Sequence, residues 1–180
     1  MTATPLRFEI RALTADQRPW LAEHLRLAWG SSAIVSRGRV HDAARLPAVV
    51  AVTDDALIGL ATFYLSGSRC EIVTLEAFER RRGVGTALLR TIARYAGRRG
   101  AERLWLVTSN DNLDALRFYQ RRGLRIVAVH RGAVDEARQV KPSIPLVGEH
   151  GIEVHDELEL ELALAPPAAD RSAPAFGASR

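Results

Sequence analysis

Three arginines stand directly before a pair of glycines in Arg80-Arg81-Arg82-Gly83-Val84-Gly85-Thr86. Arginine forks onto phosphate oxygens in bidentate fashion. Glycine lets backbone come close to a ligand. A helix that begins here turns its first N–H groups, which lack internal partners, toward an anion. The run therefore suits the holding of a phosphate, and on its own it is equally a tight turn that uses glycine. It is not Gly-x-Gly-x-x-Gly, because Leu88 stands where the third glycine would be, and no Gly-Lys-Ser/Thr follows. Dinucleotides and nucleoside triphosphates are demoted accordingly.

The surrounding pattern says which elements hold this turn. Phe8 to Leu13 reads as a strand. Thr14 and Gln17 have capping-box spacing, and Trp20, Leu21, His24, Leu25, Leu27 and Ala28 form a helical stripe that Gly30 ends. Residues 31–46 are ambiguous and are left as a loop with room for a short helix. Ala48 to Thr53, Leu57 to Leu65 and Cys70 to Phe78 predict three strands with short links at Asp54-Asp55 and Ser66-Gly67-Ser68, an antiparallel meander. The period then changes. Val84, Leu88, Ile92 and Tyr95 share one helix face, closed by Gly97 to Gly100, and Arg103 to Thr108 is a strand. Strand, crossover helix and strand make a parallel β-α-β unit.

Asp111 or Asn112 caps a further helix running to Gly123, and Leu124 to His130 is a strand. A long connection, 131–155, has one expected helical turn at Ala133 to Val140 and a stiff Lys141-Pro142-Ser143-Ile144-Pro145 segment. Asp156 to Leu164 alternates acid and apolar residues, a half-buried strand. The fold class expected is α/β (α+β mixed): a mostly antiparallel sheet with one parallel crossover, flanked by helices. Residues 1–164 form the domain, and the Ala, Pro, Ser and Gly-rich stretch 165–180 is expected to be a disordered tail.

Asn112-Leu113-Asp114-Ala115-Leu116-Arg117-Phe118-Tyr119-Gln120-Arg121-Arg122-Gly123-Leu124 completes the evidence for a family. The chain resembles the GNAT superfamily of acetyltransferases. Arg80 to Gly85 matches that family's Arg/Gln-x-x-Gly-x-Gly/Ala motif. Asn112, Ala115, Tyr119 and Gly123 match its Asn-x-x-Ala-x-x-x-Tyr-x-x-x-Gly-Phe, with Leu124 in place of the usual Phe. The order of elements agrees from Phe8 to Leu164, and the specific part runs from Cys70 to Val129.

The resemblance implies a GNAT fold, acetyl-CoA as co-substrate and an amine of a small molecule or protein as acceptor. It places the coenzyme's pyrophosphate on Arg80, Arg81, Arg82, Gly83, Val84, Gly85 and Thr86. The pantetheine arm would pair with the fourth predicted strand at Leu75, Ala77 and Phe78, while Asn112 and Ala115 would border the coenzyme. Tyr119 would lie near the sulfur; a phenol, with a reference pKa of ~10 against ~8.5 for a thiol, can protonate the leaving thiolate. A backbone N–H near Ala77 could polarise the carbonyl.

For the base, Glu71 and Glu76 are both candidates on that fourth strand. Five residues apart, they face opposite ways on a regular strand, and a bulge would change this. Either could equally be a sheet-surface glutamate, and Tyr119 a core tyrosine. His130, His150 and His155 flank the long connection, where a histidine could take the amine proton. The connection itself is expected to select the acceptor.

Composition limits other readings. No apolar run reaches the ~20 residues of a membrane span, and no signal-peptide layout opens the chain, so a cytoplasmic protein is expected. The single cysteine, Cys70, cannot form an internal disulfide. No compact His/Cys/Asp cluster suggests a metal. A net charge of +4 and a pI near 10.0 invite a nucleic-acid partner. However, Lys141 is the only lysine, arginines alternate with acids, and aromatics are 6%, too few for stacking platforms. The alternative to an enzyme is a GNAT-like module that binds acyl-CoA without turnover. A homodimer stays open.

Overall fold

The computed structural model describes residues 7–54 and 56–165. The expectations for Asp55 and for the tail from 166 onward fall outside those residues. Among the described residues, nine strands and four α-helices follow in chain order. The strands are β1 (Glu9–Ala12), β2 (Ala33–Ser36), β3 (Arg39–Asp42), β4 (Ala48–Val52), β5 (Leu57–Ser66), β6 (Arg69–Ala77), β7 (Arg103–Ser109), β8 (Arg125–His130) and β9 (Glu157–Ala163). The helices are α1 (Arg18–Trp29), α2 (Val84–Arg98), α3 (Leu113–Gln120) and α4 (Ala133–Val140). Seven strands form one sheet in the order β1-β4-β5-β6-β7-β9-β8, in which only β6 and β7 are parallel. This is the mixed sheet with one crossover that the sequence predicts. No helix among the described residues is long and apolar enough to cross a membrane.

Alternation along the central strands sends residues into two cores. Val49, Ala51, Ala61 and Phe63 join Leu88, Ile92 and Tyr95 of α2 on one face. Ala48, Val50 and Leu60 join Leu21 and Leu25 of α1 on the other. The β6 strand breaks this alternation. Cys70 and Ile72 lie in the α2 core, and so do Leu75 and Ala77, a change of parity. The cause is a bulge: Phe63 pairs with Ile72 and Thr62 with Thr74, so Val73 is the extra residue. Glu71 and Glu76 consequently share the α1 face.

Two expectations are corrected, and the expected end of α3 is sharpened. Residues 31–46 contain no helix; β2 and β3 form a hairpin, turned at Arg37-Gly38 with φ of 48° and 73°, as a tight turn of this kind requires. Helix α3 runs as regular helix to Gln120 and closes at Gly123 as expected of a C′ glycine: Gly123 has φ 88°, its N–H bonds Gln120 O at 3.0 Å, and Leu124 N–H bonds Tyr119 O at 3.2 Å. The expected single turn at Ala133–Val140 is an eight-residue helix.

Gly59 of β5 lets α2 dock. A Cβ there would stand 2.7 Å from Val84 Cγ1 and 2.8 Å from the Glu76 carbonyl oxygen. Backbone cannot give way cheaply, so Gly59→Ala should cost about 1–3 kcal/mol. Chemical denaturation would detect this as a lower midpoint with an unchanged slope.

Candidate active site

β6 and β7 pair only from Arg69↔Arg103 to Glu71↔Trp105. Beyond that point the strands part. On its other edge, Phe78 N–H bonds Ile58 O at 2.9 Å, which sets the antiparallel alternation. Glu76 therefore faces β5, while the amides of Leu75 and Ala77 face the opening toward β7. A cavity of about 530 Å3 occupies the opening. Its walls come from the end of α1, from β2, from Glu71 to Leu75, from Leu106 to Ser109, from α3, and from the 131–155 connection.

Tyr119 and Glu71 are the predicted chemical residues that meet in this cavity. Burial pushes the Tyr119 phenol well above its ordinary range, so it remains protonated. Glu71 is 3% exposed, and its carboxylate meets His41 Nε2 of β3 at 3.1 Å. The His41 ring in turn lies 5.4 Å from that of Tyr64. Glu76 is placed differently. Trp29 Nε1 donates to it at 2.9 Å and His24 Nε2 lies 3.2 Å away, so α1 occupies its carboxylate. Phe78 flanks this group with its ring 5.1 Å from His24. The histidines of the connection are elsewhere: His130 meets Glu159 at 2.8 Å, His155 meets Asp135 and Glu153, and His150 is exposed.

The glycine turn leads from β6 into α2. Arg80, Arg81 and Arg82 are exposed. Gly83 caps the helix at φ 85°, a conformation that favours glycine, and nothing lies within 4 Å of where its Cβ would be. The first helical bond is Ala87 N to Gly83 O, 3.0 Å. The N–H groups of Val84, Gly85 and Thr86 thus precede the ladder. Gly85 is not an opening for a ligand: a Cβ there would be 3.1 Å from the Phe118 ring, so this glycine serves helix packing. Val84 is buried in the core, and Thr86 Oγ1 accepts from Arg122 Nε at 2.8 Å. Of these three residues, Val84 and Gly85 can offer a ligand only backbone.

Arg122 went unremarked in the sequence. It stacks on Phe118, 3.6 Å from the ring centroid. Burial, then the charges of Arg121 and Arg90, hold its pKa below the usual range. A guanidinium that is crowded by like charges yet always ionised favours an arriving anion.

Asn112 caps α3, its Oδ1 accepting from Ala115 N at 3.0 Å, and both residues line the cavity. Asp111 beside it is buried; its Oδ2 accepts from Glu149 N at 2.9 Å, and its Oδ1 has no partner. The 131–155 connection is well tied. Arg138 donates to the carbonyls of Ile144, Pro145 and Val154, and Asn110 Nδ2 to that of Glu153.

Sequence reasoning also missed the charged face beneath the hairpin. Glu157, Glu159 and Glu161 of β9 read as the solvent side of a half-buried strand, yet Glu157 and Glu159 are buried under the β2–β3 turn. Glu159 meets Arg37, Arg69 and His130, and Glu161 meets Arg69 and Arg103. No local signal marks this burial, since the covering residues are about 120 positions away in sequence.

The profile of the Acetyltransferase (GNAT) family matches residues 9–124. The uncharacterized protein YdhI of Bacillus subtilis (strain 168) is 37% identical over 131 residues, 72% of this chain and 82% of that protein. Among solved structures, an IAA acetyltransferase from Bacillus cereus superposes with a TM-score of 0.70 at 22% identity, covering 88% of this chain and 100% of that one. A GNAT family acetyltransferase from Elizabethkingia anophelis with acetyl-CoA bound gives 0.64 at 21%, covering 87% and 98%.

Cys70 is buried in the α2 core, and burial, with the charge of Glu71 added, pushes its thiol up to about 12. Only the thiolate is nucleophilic. Ellman's reagent should therefore leave the folded protein unlabelled and titrate one thiol once denaturant unfolds it; rapid labelling of the native chain would contradict the packing.

Proposed function

Because the chain belongs to the GNAT family of acetyltransferases, we propose that it moves an acetyl group from acetyl-CoA to an amine by direct attack, with both substrates bound together. The observation that carries this reading is the three-residue parallel pairing of β6 and β7, beyond which the strands part around a cavity lined by Leu75 and Tyr119. Residues 1–164 act as the catalytic unit.

The fit on the donor side is chemical. The Leu75 and Ala77 edges match an amide-bearing arm, strand to strand. The open N–H groups of α2, the cap at Gly83 and the arginines at 80–82 and 122 match a pyrophosphate. Asn112 offers its amide nitrogen, its oxygen being used as a cap. The Ala77 N–H is the candidate donor to the reacting carbonyl.

Glu71 is the better-placed proton acceptor, because it lines the cavity, whereas Glu76 is bonded to α1 and serves to hold that helix over β6. The acceptor ammonium gives one proton to Glu71. The C–N bond then forms and the C–S bond breaks. The departing thiolate takes the Tyr119 proton, and the second amine proton restores the phenol. Amide, free thiol and one proton from Glu71 leave the site, and the charges balance.

Tyr119→Phe should lower turnover about a hundredfold, in the range of general-acid effects. Thiol release measures the rate, and calorimetry should show acetyl-CoA binding as in the parent. An unchanged rate would remove Tyr119 from the reaction.

The 131–155 connection is the acceptor wall in this reading, through Val134, Ala137 and Ile144. Arg138→Ala frees three of its carbonyls. The expected result is a raised KM for the amine and an unchanged KM for acetyl-CoA. An equal rise in both would argue that the connection is scaffold.

A further inference from the structure

The buried face under the hairpin is unevenly compensated. Glu159 receives two guanidiniums and a histidine, and Glu161 receives two guanidiniums. Glu157, on the same face of β9 and 5% exposed, receives only the backbone N–H of Arg37, at 3.1 Å. Among the described residues it has no salt bridge. Buried carboxylates are ordinarily paired.

Glu157 differs from Glu159 and Glu161 in another respect: it lines the cavity. Glu71 lines it too, and among the described residues only His41 meets its carboxylate. Ser36, 3% exposed, stands on the adjoining wall beside Arg37, and its Oγ is buried without a partner. Lys141 lines the same space, but its Nζ donates to Ala33 O at 3.0 Å. Asp111 lines it as well, at the end near α3, with Oδ2 bonded to Glu149 N and Oδ1 without a partner. The cavity thus presents three carboxylates and an unused hydroxyl, with its own lysine turned to a carbonyl.

We propose that Glu157, with Ser36 on the adjoining wall, is the subsite that receives the acceptor's ammonium group, so that a protonated aliphatic amine, and not a weakly basic arylamine, is the substrate class; this rests on the N-acetyltransferase reading above. An ammonium brings three N–H donors and one positive charge. It supplies both the charge that Glu157 lacks and the donor that Ser36 Oγ lacks. Burial first, and Glu71's charge further, raise the Glu157 pKa, against the lowering pulls of the Arg37 backbone N–H, His130 and the Arg37 side chain. An arriving cation opposes that rise. From Glu157 the amine nitrogen has Glu71 within the same cavity for its first proton.

The test is amine binding to the protein saturated with CoA, by calorimetry, with thiol release from acetyl-CoA run in parallel. The probes are cadaverine and a short lysine peptide, which separate a free amine from a protein side chain, together with aniline and pentanol as weakly basic and uncharged controls. Glu157→Gln keeps an oxygen for the Arg37 N–H. It should weaken binding of whichever aliphatic amine binds by about tenfold or more, the scale of a charge-assisted hydrogen bond, and leave acetyl-CoA affinity unchanged. Ser36→Ala should weaken it less, in the same direction.

Three results would overturn the subsite: aniline binding as well as the aliphatic amines, no aliphatic amine binding at millimolar concentration, or equal amine affinity in Glu157→Gln. Loss of acetyl-CoA binding in the parent would instead count against the donor site, which keeps the two readings separable. A circular dichroism melt of Glu157→Gln that matches the parent ensures that a changed affinity reports the site.

Discussion

The structure turns on a parallel strand pair that lasts three residues. Had β6 and β7 stayed in register, their backbone groups would have satisfied each other and the interior would have closed. Instead the Val73 bulge bends β6, and β7 goes on pairing with β9 over its whole length. Backbone donors and acceptors at Leu75 and Ala77 are left facing the opening between the strands, where the cavity reaches Leu75, and a folded chain does not leave such groups unpaired at no cost. The strand then runs directly into the N-terminus of α2. Neutral amide edge and electropositive helix end therefore follow one another along a continuous stretch of chain. A ligand with an amide-bearing arm and a phosphate end has the matching order.

The same bulge decides which glutamate faces what. Without it Glu71 and Glu76 would lie on opposite faces; with it both turn toward α1 and the hairpin. Position along the strand then separates them. Glu76 lies under α1, where Trp29 and His24 take its oxygens. Glu71 lies at the last paired position before the opening, where, among the described residues, only His41 reaches it. A carboxylate with one partner, at the edge of a cavity, can take a proton from something in that cavity. A carboxylate held by two ring N–H groups is better suited to holding a helix.

The local structure of the proposed donor half was legible in the sequence because its causes are local. The turn at Arg80–Gly85 needs glycine at φ 85°, the stripe of α2 needs apolar residues every three to four positions, and Asn112 caps the helix that begins next to it. Each cause lies within a few residues of its effect. The hairpin did not read because its strands are four residues each and their alternation, Ala-Ile-Val-Ser and Arg-Val-His-Asp, mixes charge with apolar residues on both faces. What makes it a hairpin is the surface beneath it: Arg37 over Trp105, His41 against Glu71, Arg39 over Tyr64. Gly85 misled for a related reason. A glycine in a phosphate motif looks like room for a ligand, and here the space is filled by Phe118 from another helix.

That division has a consequence for how such a chain can change. Residues that shape the donor side are bound to one another by local geometry, and most single changes there break a turn, a cap or a helix contact. The proposed acceptor side is assembled from three distant pieces: the β2–β3 hairpin, the β9 carboxylates and the tied connection with α4. Its electrostatics depend on how many cations the hairpin and the neighbouring strands supply to each carboxylate, as the contrast between Glu159 and Glu157 shows. An arginine placed on that same face within reach of Glu157 would compensate it and discharge the pocket, with the proposed donor site untouched. On the proposed reading, acceptor choice is set by that uneven distribution of charge across one buried sheet face, and the donor is set by backbone.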